Sequence, residues 1–206
     1  MNQPTFSLLR RVTLVTLAAV SLGGCAALVV GGAVGTAFVV SDRRTSGVLL
    51  EDQTIELKAA NRIREAVGER GHVNVTSYNR TVLLTGEVAS EADRNAIEQT
   101  VSRIANLRST LNELAVMGSS SVAARSNDAI LTSKVKASYL DAKDVQANAI
   151  KVVTERGSVF LMGRLTEREA TRAAELARGV SGVQKVVRVF EILTEAELAG
   201  LGNKKN

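Results

Sequence analysis

Val152-Val153-Thr154-Glu155-Arg156-Gly157-Ser158-Val159-Phe160-Leu161-Met162-Gly163-Arg164-Leu165 repeats a pattern that begins 77 positions earlier, at Val75-Thr76-Ser77-Tyr78-Asn79-Arg80-Thr81-Val82-Leu83-Leu84-Thr85-Gly86-Glu87-Val88. Valine answers valine, leucine answers leucine, and a glycine follows the second apolar run in both. Downstream, Ser90-Glu91-Ala92-Asp93 answers Thr166-Glu167-Arg168-Glu169, and Ile104 and Leu107 answer Val180 and Val183 after a one-residue slip. The chain therefore carries two copies of one small unit.

The periodicities of the second copy predict its elements. Leu131, Val135 and Tyr139 recur every four residues, which predicts a helix over about Asp128–Leu140, with Asn127 or Ser126 as its N-cap. Ile150–Glu155 and Ser158–Leu165 alternate as strands around an Arg156-Gly157 turn. Thr166 and Glu169 have capping-box spacing. Ala170, Ala173, Ala174, Ala177 and Val180 follow as a small-residue helix face, Gly179 and Gly182 end the helix, and Val183–Leu193 supplies a last strand. The first copy reads likewise through Ile55, Ala59 and Ile63, the hairpin Val73–Val88, the helix with Ala92, Ala96, Ile97, Val101 and Ile104, and the strand Leu107–Val116. A hairpin cannot bury its apolar face alone. The expected class is α+β, two tandem small domains, each helix-strand-strand-helix-strand with a three-stranded mixed sheet covered by two helices and a right-handed final crossover. Gly118-Ser119-Ser120-Ser121 between them reads as a flexible joint.

The N-terminus has another logic. Arg10 and Arg11 precede an apolar run, Val12–Leu22, and small residues precede Cys25, the only cysteine. That is the order of parts in an export signal. Leu22-Gly23-Gly24-Cys25 resembles the lipobox of bacterial lipoproteins, which implies a diacylglyceryl group on the Cys25 thiol, cleavage before it and acylation of the new amine. A competing reading makes Cys25 an ordinary small residue of a membrane helix, since Val12–Val40 is long enough to span a bilayer. Against it stand Gly23, Gly24, Gly31, Gly32 and Gly35, and cleavage would leave only about fifteen apolar residues, too few for a comfortable span. Acyl chains, at ~0.8 kcal/mol per buried CH₂, anchor a protein without a helix. Ala26 after the cysteine resembles the outer-membrane sorting pattern, so the expected place is the outer membrane, facing the periplasm.

The boundaries that follow are 1–24 signal peptide, 25–46 acylated cysteine and Gly-rich tether, 47–116 first domain, 117–125 linker, 126–194 second domain and 195–206 tail. One cysteine permits no internal disulfide. With no tryptophan, four phenylalanines and two tyrosines, the cores must be aliphatic. Charge divides the copies: Gly47–Val116 has eight Lys/Arg against ten Asp/Glu, whereas Ala124–Leu193 has twelve against eight. A basic surface suits nucleic acid or anionic membrane, and export argues for the membrane.

The repeat resembles the BON domain, and the whole chain resembles dual BON-domain outer-membrane lipoproteins. The match rests on Val159-Phe160-Leu161-Met162-Gly163, Leu165-Thr166-Glu167-Arg168-Glu169-Ala170, Val180-Ser181-Gly182-Val183-Gln184-Lys185-Val186, Asn127-Asp128, and Asp42-Arg43-Arg44-Thr45-Ser46-Gly47. The first copy departs from it, with Ile104-Ala105-Asn106-Leu107 for the usual Val-x-Gly-Val and no glycine in its Tyr78-Asn79-Arg80 turn. Ala129-Ile130-Leu131 stands where relatives often carry an aromatic. The resemblance implies binding to anionic phospholipid and a part in outer-membrane integrity, with links to cell division.

The residues for such binding lie on the first helix of the second copy. Ile130, Leu131 and Val135 would supply apolar contact, while Lys134, Lys136 and Lys143 would meet phosphates. Leu131, Val135 and Tyr139 equally fit the core face of an amphipathic helix. A second class of function is an interaction scaffold in which an open sheet edge engages an envelope assembly or division protein. Catalysis has little support. His72, the only histidine, follows Arg70-Gly71 and reads as an exposed loop residue; no second histidine or thiol exists for a metal site; and no Gly-rich loop joins a strand to a helix. Glu167 and Glu169 suit a helix start, and Gly31-Gly32-x-x-Gly35 lies in the tether. No cofactor, metal or nucleic-acid partner is expected.

Overall fold

The computed structural model describes residues 42–68 and 70–203. The signal peptide, Cys25 and most of the tether lie outside the described residues. In chain order the elements are α1 (Ser46–Val67), β1 (Gly71–Tyr78), β2 (Thr81–Val88), α2 (Glu91–Ser102), β3 (Ser109–Asn112), β4 (Ala115–Val116), α3 (Val122–Asp141), β5 (Ile150–Glu155), β6 (Ser158–Thr166), α4 (Glu167–Arg178), β7 (Lys185–Leu193) and α5 (Glu195–Asn203).

Each copy is an α+β unit with the expected element order. In the first, β1 and β2 are antiparallel and the chain returns through α2 to lay β3 and β4 parallel to β2. The last strand of this copy is interrupted at Glu113 and Leu114, where Leu114 turns into the core. In the second, β5 pairs antiparallel with β6 and β7 runs parallel to β6 without a break. The small face of α4 is wholly buried at Ala170, Ala173, Ala174 and Ala177, and both bonds of the Thr166–Glu169 capping box are made.

A buried carboxylate holds each hairpin turn. Asn79 and Arg80 both have positive φ, as do Arg156 and Gly157, the signature of a type I′ turn. Such a turn points backbone N–H groups inward. Asp52 of α1 accepts from the amides of Asn79 and Arg80 at 2.8 and 2.7 Å and from the Ser77 hydroxyl at 2.7 Å. Asp128 of α3 accepts from Arg156 and Gly157 at 2.7 and 2.8 Å. Three structural differences from the sequence reading follow. Helix α3 starts at Val122, capped by Ser121 rather than by Ser126 or Asn127, because Asp128 is spent on the turn and belongs inside the helix. The tail forms α5, closed by a Thr194–Glu197 pair of the same spacing as Thr166–Glu169. His72 lies on β1, opposite Glu87 of β2, instead of in a loop.

Helices cover only one face of each sheet, and the other faces meet each other. On β2, Val82 and Leu84 point to the helices while Leu83 points away; on β6, Val159 and Leu161 point to the helices while Phe160 and Met162 point away. Tyr78, Leu83, Phe160 and Met162 form a third core, flanked by Leu111, Val153, Val187 and Val189. Both domains thus belong to one compact unit, Ser41–Asn206. The residues between them are not a loose joint: Met117 and Ser120 donate backbone N–H to Val88 and Glu87, and Arg125 of α3 bonds the Ser120 carbonyl.

Gly86, on the central strand of the first sheet, is required by this geometry. It has φ +113°, and a Cβ there would stand 2.0 Å from the His72 carbonyl oxygen. Gly86→Ala is expected to lower stability by about 2–3 kcal/mol in urea unfolding; an unchanged midpoint would show that β1 can move aside.

Candidate functional site

Helix α3 packs inward through Leu131, Val135 and Tyr139, which are 2, 0 and 1 % exposed. The Tyr139 hydroxyl donates to the Ala173 carbonyl at 3.0 Å, and burial raises its pKa. Two of the six residues assigned to phospholipid contact, Leu131 and Val135, are therefore core residues. Their side chains lie on the Asp128 side of the helix, and the assignment is corrected for both.

The other four face outward. Ile130 is 53 % exposed, and Lys134, Lys136 and Lys143 are exposed. Successive steps of three and four align Ile130, Ser133, Ala137 and Leu140 along one stripe of the outer face. Leu140 is 73 % exposed, and Val122, about five turns earlier on the same side of the helix, is 76 % exposed. Lys134 flanks this stripe on one side and Lys136 on the other. Among the described residues neither lysine, nor Lys143, has an ion-pair partner, whereas the nearby Asp144 is engaged by Arg172 at 2.9 Å. The result is a weakly apolar strip between unpaired ammonium groups. Leu140 and Val122 escaped the sequence reading because they fall off the core stripe, where an exposed leucine carries no signal.

Much of the basic excess of the second domain faces the first domain instead. Lys151 meets Glu56 at 3.0 Å, Arg156 lies 3.7 Å from Glu87, and Lys185 lies 3.9 Å from Glu113. One pair runs the other way, Arg108 to Glu191 at 2.8 Å. Asn79 also donates to Glu191 across the seam, and Asn74 donates to Glu155 at 3.1 Å. Burial raises the Glu191 pKa, but the Asn79 amide and the Arg164 and Arg108 guanidiniums outweigh it and hold the carboxyl below its ordinary value. Glu87 is fully buried, with Arg156 on one side, the Ser120 amide at 3.2 Å, and His72 Nδ1 at 3.7 Å. The charge asymmetry between the copies is thus largely an interface between them.

Among the described residues no three or more His, Cys, Asp or Glu side chains are placed to hold a metal ion. No helix there is long and apolar enough to cross a membrane.

The two α+β copies are matched by the BON domain family at residues 51–118 and 127–194, and the chain belongs to that family as a protein of two BON domains. It is 36 % identical over 191 residues to the outer membrane lipoprotein DolP of Haemophilus influenzae, covering 92 % of this chain and 99 % of that one. It is 33 % identical over 151 residues to the 21 kDa hemolysin of Actinobacillus pleuropneumoniae, covering 72 % of this chain and 78 % of that one. Among solved structures, CdsD, a structural protein of the Chlamydia trachomatis type III secretion system, aligns with TM-score 0.29 and 11 % identity over 71 % of this chain and 98 % of that one.

Proposed function

We propose that the protein is an outer-membrane lipoprotein, anchored through Cys25 and facing the periplasm, that binds anionic phospholipid through the outer face of α3 and so supports envelope integrity, including at the division site. The likeness to an outer membrane lipoprotein over nearly the whole length of both chains supports the anchored, periplasmic setting. The observation that carries the lipid reading is the α3 strip: exposed Ile130 and Leu140 between unpaired Lys134 and Lys136, on the face of that helix turned away from its own core. The apolar strip enters the headgroup boundary, and the lysines extend sideways to phosphates. Binding, rather than turnover, is the chemistry these groups can perform.

Co-sedimentation of residues 41–206 with vesicles tests it. Binding is expected to vesicles containing phosphatidylglycerol and not to neutral ones, and each added lysine contact contributes about 1 kcal/mol. Lys134→Glu with Lys136→Glu should weaken binding by more than about tenfold. Equal binding to neutral and anionic vesicles would sink the reading.

A scaffold is the second reading, favoured by the outer edge of β7, which pairs with no further strand among the described residues and is nine residues long with Ile192 half exposed. Edge strands recruit partners by strand addition. Crosslinking from β7 in cells should give one discrete adduct if that edge has a protein partner.

A further inference from the structure

Residues 42–45 are the last of the tether before α1, yet their side chains reach both domains. Arg43 lays its guanidinium across both oxygens of Glu169 at 2.7 and 2.8 Å, and it also donates to the Arg164 carbonyl at 2.8 Å and to Gln146 at 2.9 Å. Arg164 returns a bond to the Arg43 carbonyl at 3.0 Å. All of these partners belong to the second domain. Arg44 turns the other way. It bonds Asp42, pairs with Asp52 of α1 at 2.8 Å, and sits 4.0 Å over the Tyr78 ring, while Tyr78 donates to the Ala149 carbonyl of the second domain at 3.4 Å. Consecutive arginines thus hold one domain each.

Two further features make Arg43 more than a surface contact. Its side chain and that of Glu169 are only 8 and 9 % exposed, so the pair is poorly screened, and removing one partner strands the other. The place it grips is also specific. Gln146 lies five residues beyond the end of α3, with Lys143 between them. Without this grip the chain behind the anchor would enter the body only through α1, on the first domain.

We propose that Arg43 is a clasp that fastens the stem of the membrane anchor to the second domain, so that the anchor leaves the body beside the C-terminal end of α3 and positions that helix toward the headgroups. The positioning half rests on the lipid-binding reading above; the clasp half does not. Sixteen residues separate Cys25 from Asp42, a reach of at most about 60 Å. Within that reach the exit point biases which surface meets the bilayer at high effective concentration.

The test is hydrogen exchange on the full, anchored chain in phosphatidylethanolamine vesicles with and without phosphatidylglycerol. Arg43→Ala is expected to speed exchange about tenfold or more at residues 43–49 and at residues 142–149, a hundred residues away in sequence. Glu169→Gln, which retains a side chain able to cap α4, should do the same. Combining the two should add little, and Arg43→Lys should not restore protection, since one ammonium cannot span both oxygens and the Arg164 carbonyl. In the same variants the phosphatidylglycerol-dependent protection of α3 should fall about threefold or more. Unchanged exchange at residues 142–149 overturns the clasp. Faster exchange there with α3 protection intact overturns the positioning role. If α3 of the unaltered chain gains no protection from phosphatidylglycerol, the lipid reading and the positioning role fall together, while the two exchange segments still decide the clasp.

Discussion

Asp52→Ala is expected to lower the unfolding free energy by about 3–5 kcal/mol in urea titration. The carboxylate is 2 % exposed and receives four donors: the Asn79 and Arg80 amides, the Ser77 hydroxyl and the Arg44 guanidinium. Alanine leaves two turn amides facing a vacated pocket and the Arg44 charge without its partner on α1. Neither Asn79 nor Arg80 is a glycine, so the positive φ at both must be held by the carboxylate, and the first hairpin should fray before the rest of its sheet. Asp128→Ala removes only two amide contacts, and its turn contains Gly157. Its loss should be smaller, about 2 kcal/mol. Equal losses at the two sites would refute the role given to Arg44 and to the strained Asn79-Arg80 turn.

The second large effect is expected at Leu83→Asp, which places a carboxylate among Tyr78, Phe160 and Met162, where the Tyr78 hydroxyl is already spent on the Ala149 carbonyl. The cost is about 3 kcal/mol or more. Its signature is where the loss is felt. Phe160 and Met162 lose their cover, so the second domain should unfold at lower urea although the substitution lies in the first. Leu84→Asp, one residue along but facing the helices, should act on the first domain before the second. A second-domain transition unmoved by Leu83→Asp would mean that the sheet faces do not stabilise each other.

The acid limb of stability gives a smaller test. The Arg43 guanidinium, aided by the Thr166 amide, holds the Glu169 carboxyl below its ordinary value of 4.5, against the opposing effect of burial. A carboxyl with a depressed folded pKa stabilises the fold above its unfolded pKa, and the gain is lost as pH falls through the folded value. Stability should therefore drop below about pH 4.5, and more shallowly in Glu169→Gln. Identical pH profiles would assign the acid loss to other groups, Glu191 among them.

The element order and the class of fold were legible because each element announces itself locally. The four-residue spacing of Leu131, Val135 and Tyr139, the Thr166–Glu169 box and the Arg156-Gly157 turn are short-range signals. The docking of the copies is encoded differently. Val82-Leu83-Leu84 and Val159-Phe160-Leu161-Met162 are continuous apolar runs, and a sheet covered on one face alone would alternate; those runs were the available sign of a second covered face. The start of α3 was misplaced because Asp128 in isolation looks like a helix-start residue, whereas its partners lie in a turn nearly thirty residues later. The pairing of Arg43 with Glu169, more than a hundred residues apart, had no local signature at all.

The stacking of the sheets also gives the duplication a direction. At positions facing the helices the copies still agree, with Val82 answering Val159 and Leu84 answering Leu161. At positions facing the seam they differ: Leu83 against Phe160, Thr85 against Met162, Glu87 against Arg164. Two identical units could trade partners with a neighbouring molecule through that face. Unlike units make each face complementary to its sibling rather than to a second copy of itself, which leaves strand edges and outer helix faces as the surfaces open to other molecules.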